Sequence, residues 1–190
     1  MNIAALLVGA LALAGCAWTA SPSPVTTPEA TEPSTATPAP TTGSGGCPLA
    51  EQSGPLFTNT LVDVGVDSDG LTDRVTFTLG DPVDMIINPR GTIRPVEPPF
   101  IEDGSGEAVE VLGEHHLELR MDPMQMFDAA GNPTFVGEGT ITPNFLSLKQ
   151  VELTGGFEGI YLFVIGWDGG GCVTLSSDEP SRTITIAIGR

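Results

Sequence analysis

The sequence is poor in positive charge. It has 7 Lys and Arg residues against 24 Asp and Glu residues, and a formal net charge of −17 at pH 7. Proteins that bind nucleic acid need clustered Lys and Arg side chains to neutralise phosphates. This composition therefore excludes nucleic acid as a partner, and phosphate-rich envelope polymers would be repelled for the same reason. An acidic surface also serves simply to keep a protein soluble.

The sequence also lacks an apolar run long enough to cross a bilayer, which takes roughly 20 residues. The run from Ile3 to Gly15 has 13 residues and leads into Leu13-Ala14-Gly15-Cys16. Its length matches the core of a signal peptide, and the tetrapeptide is typical of a bacterial lipoprotein signal. We therefore predict a signal peptide over residues 1–15 and a lipid on Cys16 that anchors the protein to the cell membrane, outside the cytosol.

A segment without core-forming residues follows. Residues 17–46 contain six Pro, eight Thr and four Ser, and only Glu29 and Glu32 are charged. Such a composition cannot bury enough apolar surface to fold. We predict a disordered tether over residues 16–46, and its interleaved Thr and Pro are also typical of O-glycosylated stalks.

Cysteine is scarce, with three residues in the chain. If Cys16 carries lipid, Cys47 and Cys172 remain as a pair in an oxidising compartment. We predict a disulfide between them, the alternative being two unpaired thiols. The bridge would join the start of the folded domain, residues 47–190, to its last hairpin.

Helical periodicity is nearly absent from that domain, where apolar residues alternate with a period of two. Ile184, Ile186 and Ile188 show the pattern at the C terminus, and similar runs surround Phe77, Leu119 and Val151. Turn sequences rich in Gly, Asp and Pro separate the runs, among them Gly155-Gly156. The pattern predicts an all-β fold, an antiparallel β-sandwich, with at most a helical turn at Pro123 to Phe127.

One predicted strand breaks the alternation, because Ile160 to Trp167 is apolar on both faces. Either the long segments around Arg90 to Phe100 and Pro123 to Asn144 cover the second face, which we favour, or that face binds a ligand. If it is open, Tyr161, Phe163 and Trp167 form an aromatic surface for sugar rings, with Asp168 beside it to accept hydrogen bonds from hydroxyl groups.

Several short stretches together resemble a known domain. They include Gly70-Leu-Thr-Asp-Arg74, Asp103-Gly-Ser-Gly106, Leu148 to Gly159, Gly166-Trp-Asp168 and the closing DEPSRTITI. In order and spacing they are similar to the AMIN-like domain of actinobacterial lipoproteins. The resemblance implies a secreted or lipid-anchored β-sandwich of no established activity. It also implies a distant similarity to AMIN domains, which target amidases and secretins to the envelope by binding peptidoglycan.

Catalytic constellations are hard to find in this sequence. His115 and His116 are adjacent, so on a strand they point to opposite faces and cannot share a metal. Ser105 lies in a Gly-Ser-Gly turn without the strand-to-helix elbow of a serine hydrolase. We therefore predict that the protein is not an enzyme and needs no cofactor.

A calcium site is the one metal alternative. Asp67, Asp69 and Asp73 place carboxylates around Gly70, as hard cations prefer. The loop is not an EF-hand, since Thr78 stands where that loop needs Glu. We favour an acidic turn between two strands, in which Asp73 pairs with a neighbouring cation.

These observations predict a non-catalytic, lipid-anchored envelope module that contacts cell-wall glycan or another envelope component. A protein-interaction or regulatory lipoprotein that uses an apolar strand face is the main alternative, and a small-ligand-binding lipoprotein is the third.

Overall fold

The regular secondary structure in the described part of the chain consists of strands alone. The computed structural model describes residues 50–83 and 88–190. Its strands are β1 (Gln52–Pro55), β2 (Leu61–Ser68), β3 (Thr72–Leu79), β4 (Arg90–Pro95), β5 (Phe100–Ile101), β6 (Ala108–Val109), β7 (His115–Asp122), β8 (Thr140–Ile141), β9 (Leu148–Phe157), β10 (Ile160–Trp167), β11 (Val173–Asp178) and β12 (Thr183–Gly189). These residues contain no helix, so the helical turn predicted at Pro123 to Phe127 is wrong.

The strands form two main sheets and a small hairpin. One sheet has the order β1-β4-β7-β10-β9-β8, the other has the order β11-β12-β3-β2, and β5 pairs with β6. Neighbouring strands are antiparallel in every pairing. The predicted antiparallel β-sandwich is thereby confirmed.

The core lies between the two sheets and follows the period-two pattern. Along β3, Asp73, Val75, Phe77 and Leu79 are buried while the residues between them are partly exposed. Ile184, Ile186 and Ile188 repeat the pattern in β12. The rings of Phe77 and Phe163 meet edge to face across the sandwich, with centroids 5.1 Å apart. An edge-to-face pair of aromatic rings stabilises the fold by more than the burial of its apolar surface alone.

The second face of β10 is covered at Val164 by the chain between β4 and β7, while Ile160 and Leu162 on that face stay partly exposed. Val164 forms a small buried cluster with Phe100 and Val111, against which Val96 and Val109 pack. We call residues 96–112 the outer cover. It includes the end of the segment around Arg90 to Phe100 that we expected to fold over this strand, and the β5–β6 hairpin completes it. The other segment expected there, Pro123 to Asn144, contributes nothing to this cluster, and its Phe135 packs instead on the inner face of β10, against Tyr161 and Phe163.

The turn between β9 and β10 differs from its prediction. Gly155 and Gly156 lie inside β9, near a register irregularity between Leu162 and Phe163 on the partner strand. Glu158 and Gly159 make the turn instead, with φ angles of 51° and 80°. Paired glycines therefore marked an irregular strand here rather than its end.

The predictions for the N-terminal part of the chain fall outside the described residues. They are the signal peptide over residues 1–15, lipidation at Cys16, the tether over residues 16–46, and the Cys47 half of the disulfide. Among residues 50–83 and 88–190, no helix could span a membrane.

Candidate functional site

The structure removes two residues from the predicted aromatic surface. Tyr161 and Phe163 are 3% and 1% exposed, because their face of β10 is the inner face of the sandwich. Their rings pack against each other and against Phe135. Burial also raises the pKa of the Tyr161 phenol, against the lowering effect of hydrogen bonds with Thr134 and Phe135. The prediction that these two residues belong to an open glycan-binding face is therefore wrong. Both are core residues.

Trp167, at the last position of β10, is only partly buried. Part of its side chain packs against the core, and its indole N–H is buried without a hydrogen-bond partner among the described residues. It lies opposite His115 of β7, with ring centroids 5.5 Å apart. His115 is exposed, whereas His116 is buried against Phe100 under the outer cover. The two histidines thus lie on opposite faces as predicted, and His115 extends the aromatic surface of Trp167.

Polar groups surround this aromatic pair. The Asp168 carboxylate accepts a hydrogen bond from the Glu114 backbone N–H at 3.1 Å, and its other oxygen lies 3.4 Å from the Lys149 ammonium. Lys149 also donates to the Leu146 carbonyl oxygen at 2.8 Å. We call the group of Glu114, His115, Lys149, Trp167 and Asp168 the tryptophan end. It places two rings next to a carboxylate and an ammonium.

Below the tryptophan end lies a buried carboxylate whose role the sequence pattern did not reveal. Asp73 is fully buried, and one of its oxygens accepts backbone hydrogen bonds from Ser147 at 2.9 Å and Leu148 at 3.0 Å. The other accepts from the Ser68 hydroxyl at 2.6 Å and Arg190 at 3.1 Å. Asp73 therefore joins β3 of one sheet to the start of β9 in the other.

These contacts decide the ionisation of Asp73. Burial acts to raise its pKa, but hydrogen bonds from Ser68, Leu148 and Ser147, together with the positive charge of Arg190, outweigh it and lower the pKa. The carboxylate is thus held in its charged form, paired with a cation as the acidic-turn interpretation expected.

The calcium alternative is not supported by this geometry. Asp73 points into the core, whereas Asp67 and Asp69 lie outside and form ion pairs with Arg74. The Arg74 contact and backbone hydrogen bonds from Leu71 and Thr72 lower the pKa of Asp69 to about 2. The three carboxylates therefore do not converge, because residue 73 faces inward on β3. Across residues 50–83 and 88–190 no cluster of three or more metal-ligand side chains occurs.

An apolar cleft lies at the opposite end of β10. It has a volume of about 610 Å³, and its walls are the chain after β7 and the turn between β9 and β10. We define the apolar cleft by Met124, Met126, Phe127, Phe135 and Phe157. Phe127 and Phe157 are 54% and 59% exposed. No pattern in the sequence indicated this surface, since most of its residues lie in irregular chain that shows no periodicity, and only Phe157 belongs to a strand.

A second depression adjoins the cleft across β9. It has a volume of about 330 Å³ and is lined by Glu102, Asp103 and Gly104 on one side and by Leu153 to Phe157 on the other. We call it the acidic notch. Ser105 lies beside it, and its hydroxyl donates to Glu102 at 2.6 Å while accepting from the Glu107 backbone N–H. Ser105 is thus a hairpin residue, as expected.

Comparison with known protein families gives one match, to the AMIN-like domain over residues 59–184. The chain belongs to the AMIN-like domain family. The matched range is more than half of the chain and contains both ends of β10. Searches among curated proteins and among solved structures found no match. Membership in the AMIN-like family indicates an extracytoplasmic module associated with the cell wall.

Within this AMIN-like domain the two candidate surfaces differ in kind. The tryptophan end combines rings with charged groups, whereas the apolar cleft combines Phe and Met side chains with an acidic border. Sugars are recognised by aromatic faces flanked by hydrogen-bonding groups, a description that fits the tryptophan end better.

Proposed function

We propose that the protein is a non-catalytic, lipid-anchored envelope module that contacts cell-wall glycan through the tryptophan end. The observation that carries the proposal is the pairing of Trp167 with His115 at the rim of an AMIN-like sandwich, beside the Asp168 carboxylate and the Lys149 ammonium. The exposed His115 ring and the accessible part of Trp167 offer apolar surface to one side of a sugar. The charged groups accept and donate hydrogen bonds at its edge.

The rest of the chain provides the anchor in this proposal. Lipid on Cys16 holds the protein at the membrane, and residues 16–46 act as a flexible tether. Its reach is roughly 30 Å as a coil and roughly 90 Å fully extended. A disulfide between Cys47 and Cys172 closes the folded domain near the point where the tether enters it. These features rest on the sequence, since Cys16 and Cys47 lie outside the described residues.

Glycan contact is tested by sedimentation of the full-length, detergent-solubilised protein with purified cell-wall sacculi from which all protein has been removed. His115→Ala and Asp168→Asn should each weaken binding about 2- to 10-fold, the usual range for one aromatic or hydrogen-bonding contact. Phe157→Ala, at the opposite end of β10, serves as the matched control and should bind like the wild type.

Two results would count against glycan contact. One is retention only on walls that still carry their proteins, which would favour the protein-interaction alternative. The other is equal binding by the His115→Ala, Asp168→Asn and wild-type proteins, which would place any glycan contact elsewhere.

Lipid anchoring has its own test. Cys16→Ser should move the protein from the membrane fraction to the soluble extracytoplasmic fraction and abolish incorporation of labelled fatty acid. Unchanged fractionation and labelling would refute a lipid at Cys16. A thiol count on the oxidised wild-type protein, before and after reduction, tests the Cys47–Cys172 bridge separately.

A further inference from the structure

We propose that the apolar cleft and the adjoining edge of β9 form a docking site for an extended peptide segment of an envelope protein, one that alternates apolar side chains with Lys or Arg. The segment would add a strand beside Gly155 to Phe157. This surface is at the opposite end of β10 from the tryptophan end and does not depend on glycan contact.

The first support is the amount of exposed apolar side chain at one place. Phe127 and Phe157 stand on the two walls of the cleft, each more than half exposed, with Met126 partly buried between them. The polar side chains of the lining are those of Gln125, Glu158 and the buried Tyr161. A surface with so few hydrogen-bonding groups suits apolar side chains better than a sugar.

The second support is the unpaired edge of β9. The neighbouring strand β8 pairs only with Val151 and Glu152. Beyond them, the Leu153 N–H donates to the Gly139 carbonyl oxygen at 2.7 Å, and the Thr154 carbonyl oxygen accepts from the Asp103 N–H at 2.7 Å. Within the described ranges no strand flanks β9 from Gly155 to Phe157 on this side.

This edge is accessible at Gly156 and Phe157, whereas Gly155 is buried. Gly156 is exposed, and a Cβ added there would meet only Leu153 at 3.8 Å and Met126 at 4.0 Å. An exposed strand edge beside pockets for alternate side chains is the geometry used in peptide binding by strand addition.

Charge complementarity identifies the occupant. Glu102 and Asp103 line the notch on one side of the edge, and Glu158 lines the cleft on the other. Neither depression has a Lys or Arg among its lining residues. A strand between them would therefore meet an apolar surface with negative charge on both sides, which favours Lys or Arg beside apolar residues and disfavours acidic segments.

The experiment screens a random hexapeptide display library against the full-length, detergent-solubilised protein and then measures the affinity of synthesised hits. Enriched sequences should alternate apolar residues with Lys or Arg. Phe157→Ala should weaken their binding about tenfold, as expected for an aromatic contact near the centre of an interface. Asp103→Asn and Glu158→Gln should each weaken it a few-fold and reduce its dependence on salt.

A matched control and a structural readout complete the design. Leu146→Ala removes an apolar side chain that is 71% exposed, at the other end of the domain, and should leave the affinity unchanged. The amides of Gly155 to Phe157 should become protected from hydrogen exchange on binding of the peptides, as an added strand requires.

The proposal is overturned if no hexapeptide is enriched, if enriched peptides are acidic or lack charge, or if hits bind Phe157→Ala as tightly as the wild type. Displacement of the hits by protein-free glycan strands would also overturn it and assign the cleft to sugar. Failure of sacculus binding in the earlier test leaves this result unaffected, so the two proposals fail separately.

Discussion

The two ends of β10 lie about 23 Å apart along the strand and are built in opposite ways. The tryptophan end is crowded. Asp73 binds the backbone of Ser147 on one side of the strand, and on the other side the outer cover lies directly against Gly166. At the cleft end, glycines and irregular chain leave Phe and Met side chains open. A strand that is apolar on both faces therefore fills the core in its middle, while its two ends support surfaces of different chemistry.

The largest effect should come from breaking the buried tie at the tryptophan end. Asp73→Ala removes the acceptor for Ser68, Ser147, Leu148 and Arg190, and loss of one partner of a buried ion pair costs about 3 to 5 kcal/mol. Urea unfolding followed by circular dichroism measures the change. Asp67→Ala, which breaks an exposed pair with Arg74, is the control and should cost about 1 kcal/mol or less. Similar losses in both variants would contradict the assigned role of Asp73.

A pair of glycine substitutions should separate the crowded end from the open one. A Cβ at Gly166 would lie 2.0 Å from the Leu112 carbonyl oxygen, so Gly166→Ala must displace the outer cover, at a cost of about 1 to 3 kcal/mol. A Cβ at Gly156 meets nothing closer than 3.8 Å, and Gly156→Ala should change stability by about 0.5 kcal/mol or less. The same unfolding measurement tests both variants. Equal effects would show that the two ends are equally crowded.

Acid should weaken the tryptophan end more than the cleft end. Because the pKa of Asp73 is lowered from 3.8 in the folded state, its stabilising contribution is complete above about pH 3.8 and is lost as the pH falls through the lower, folded value. The pKa of Asp69 is also lowered in the folded state, to about 2, so its contribution to stability is lost in acid as well. The unfolding free energy, measured from pH 7 to pH 2, should therefore fall less steeply below pH 4 in Asp73→Asn than in the wild type.

Asp128, next to Phe127 at the cleft end, is the residue with which the acid dependence of Asp73 can be compared. Hydrogen bonds from the Asn132 side chain and backbone lower the pKa of Asp128, which is exposed. Asp128→Asn should flatten the acid dependence less than Asp73→Asn, since an exposed turn contributes less to stability than a tie between sheets. The opposite order would show that acid acts first on the cleft end.

Substitution of Phe157, like that of Gly156, should have one of the smallest effects on stability. Its ring is 59% exposed, so Phe157→Ala should change the unfolding free energy by about 0.5 kcal/mol or less. Phe163→Ala, in the core of the same sheet, should cost about 3 to 5 kcal/mol. Thermal unfolding of both proteins tests the contrast. A large loss for Phe157→Ala would indicate that this residue stabilises the fold rather than a binding surface.

Much of the fold could be predicted because local patterns dictate it. Alternation around Phe77, Leu119 and Ile186 predicted half-buried strands, and each of these residues lies in the core. The turn predicted at Gly155-Gly156 was wrong, because glycine is favoured both in turns and at irregular positions inside a strand. The pattern also left open two interpretations of the second face of β10, although we favoured a covered one, since the cover over Val164 comes from Phe100 and Val111, far away in the sequence.

The candidate sites were less predictable than the strands. Trp167 and Asp168 were identified from their chemistry, but the contribution of His115 depends on strand register, which places it opposite Trp167. The sequence pattern placed Asp73 in an acidic turn, because Asp67 and Asp69 precede it closely. Its partners Ser147 and Arg190 lie 74 and 117 residues further along the chain, beyond the reach of any local pattern.

The sequence by itself determined the acidic character of the chain and its all-β architecture, because charge and side-chain period are local properties. Only the tertiary structure decided that Tyr161 and Phe163 are core residues, that Asp73 joins the sheets, and that an apolar cleft opens beside Phe157. Those outcomes depend on which distant segments pack together, and burial is a property of that packing rather than of any residue alone.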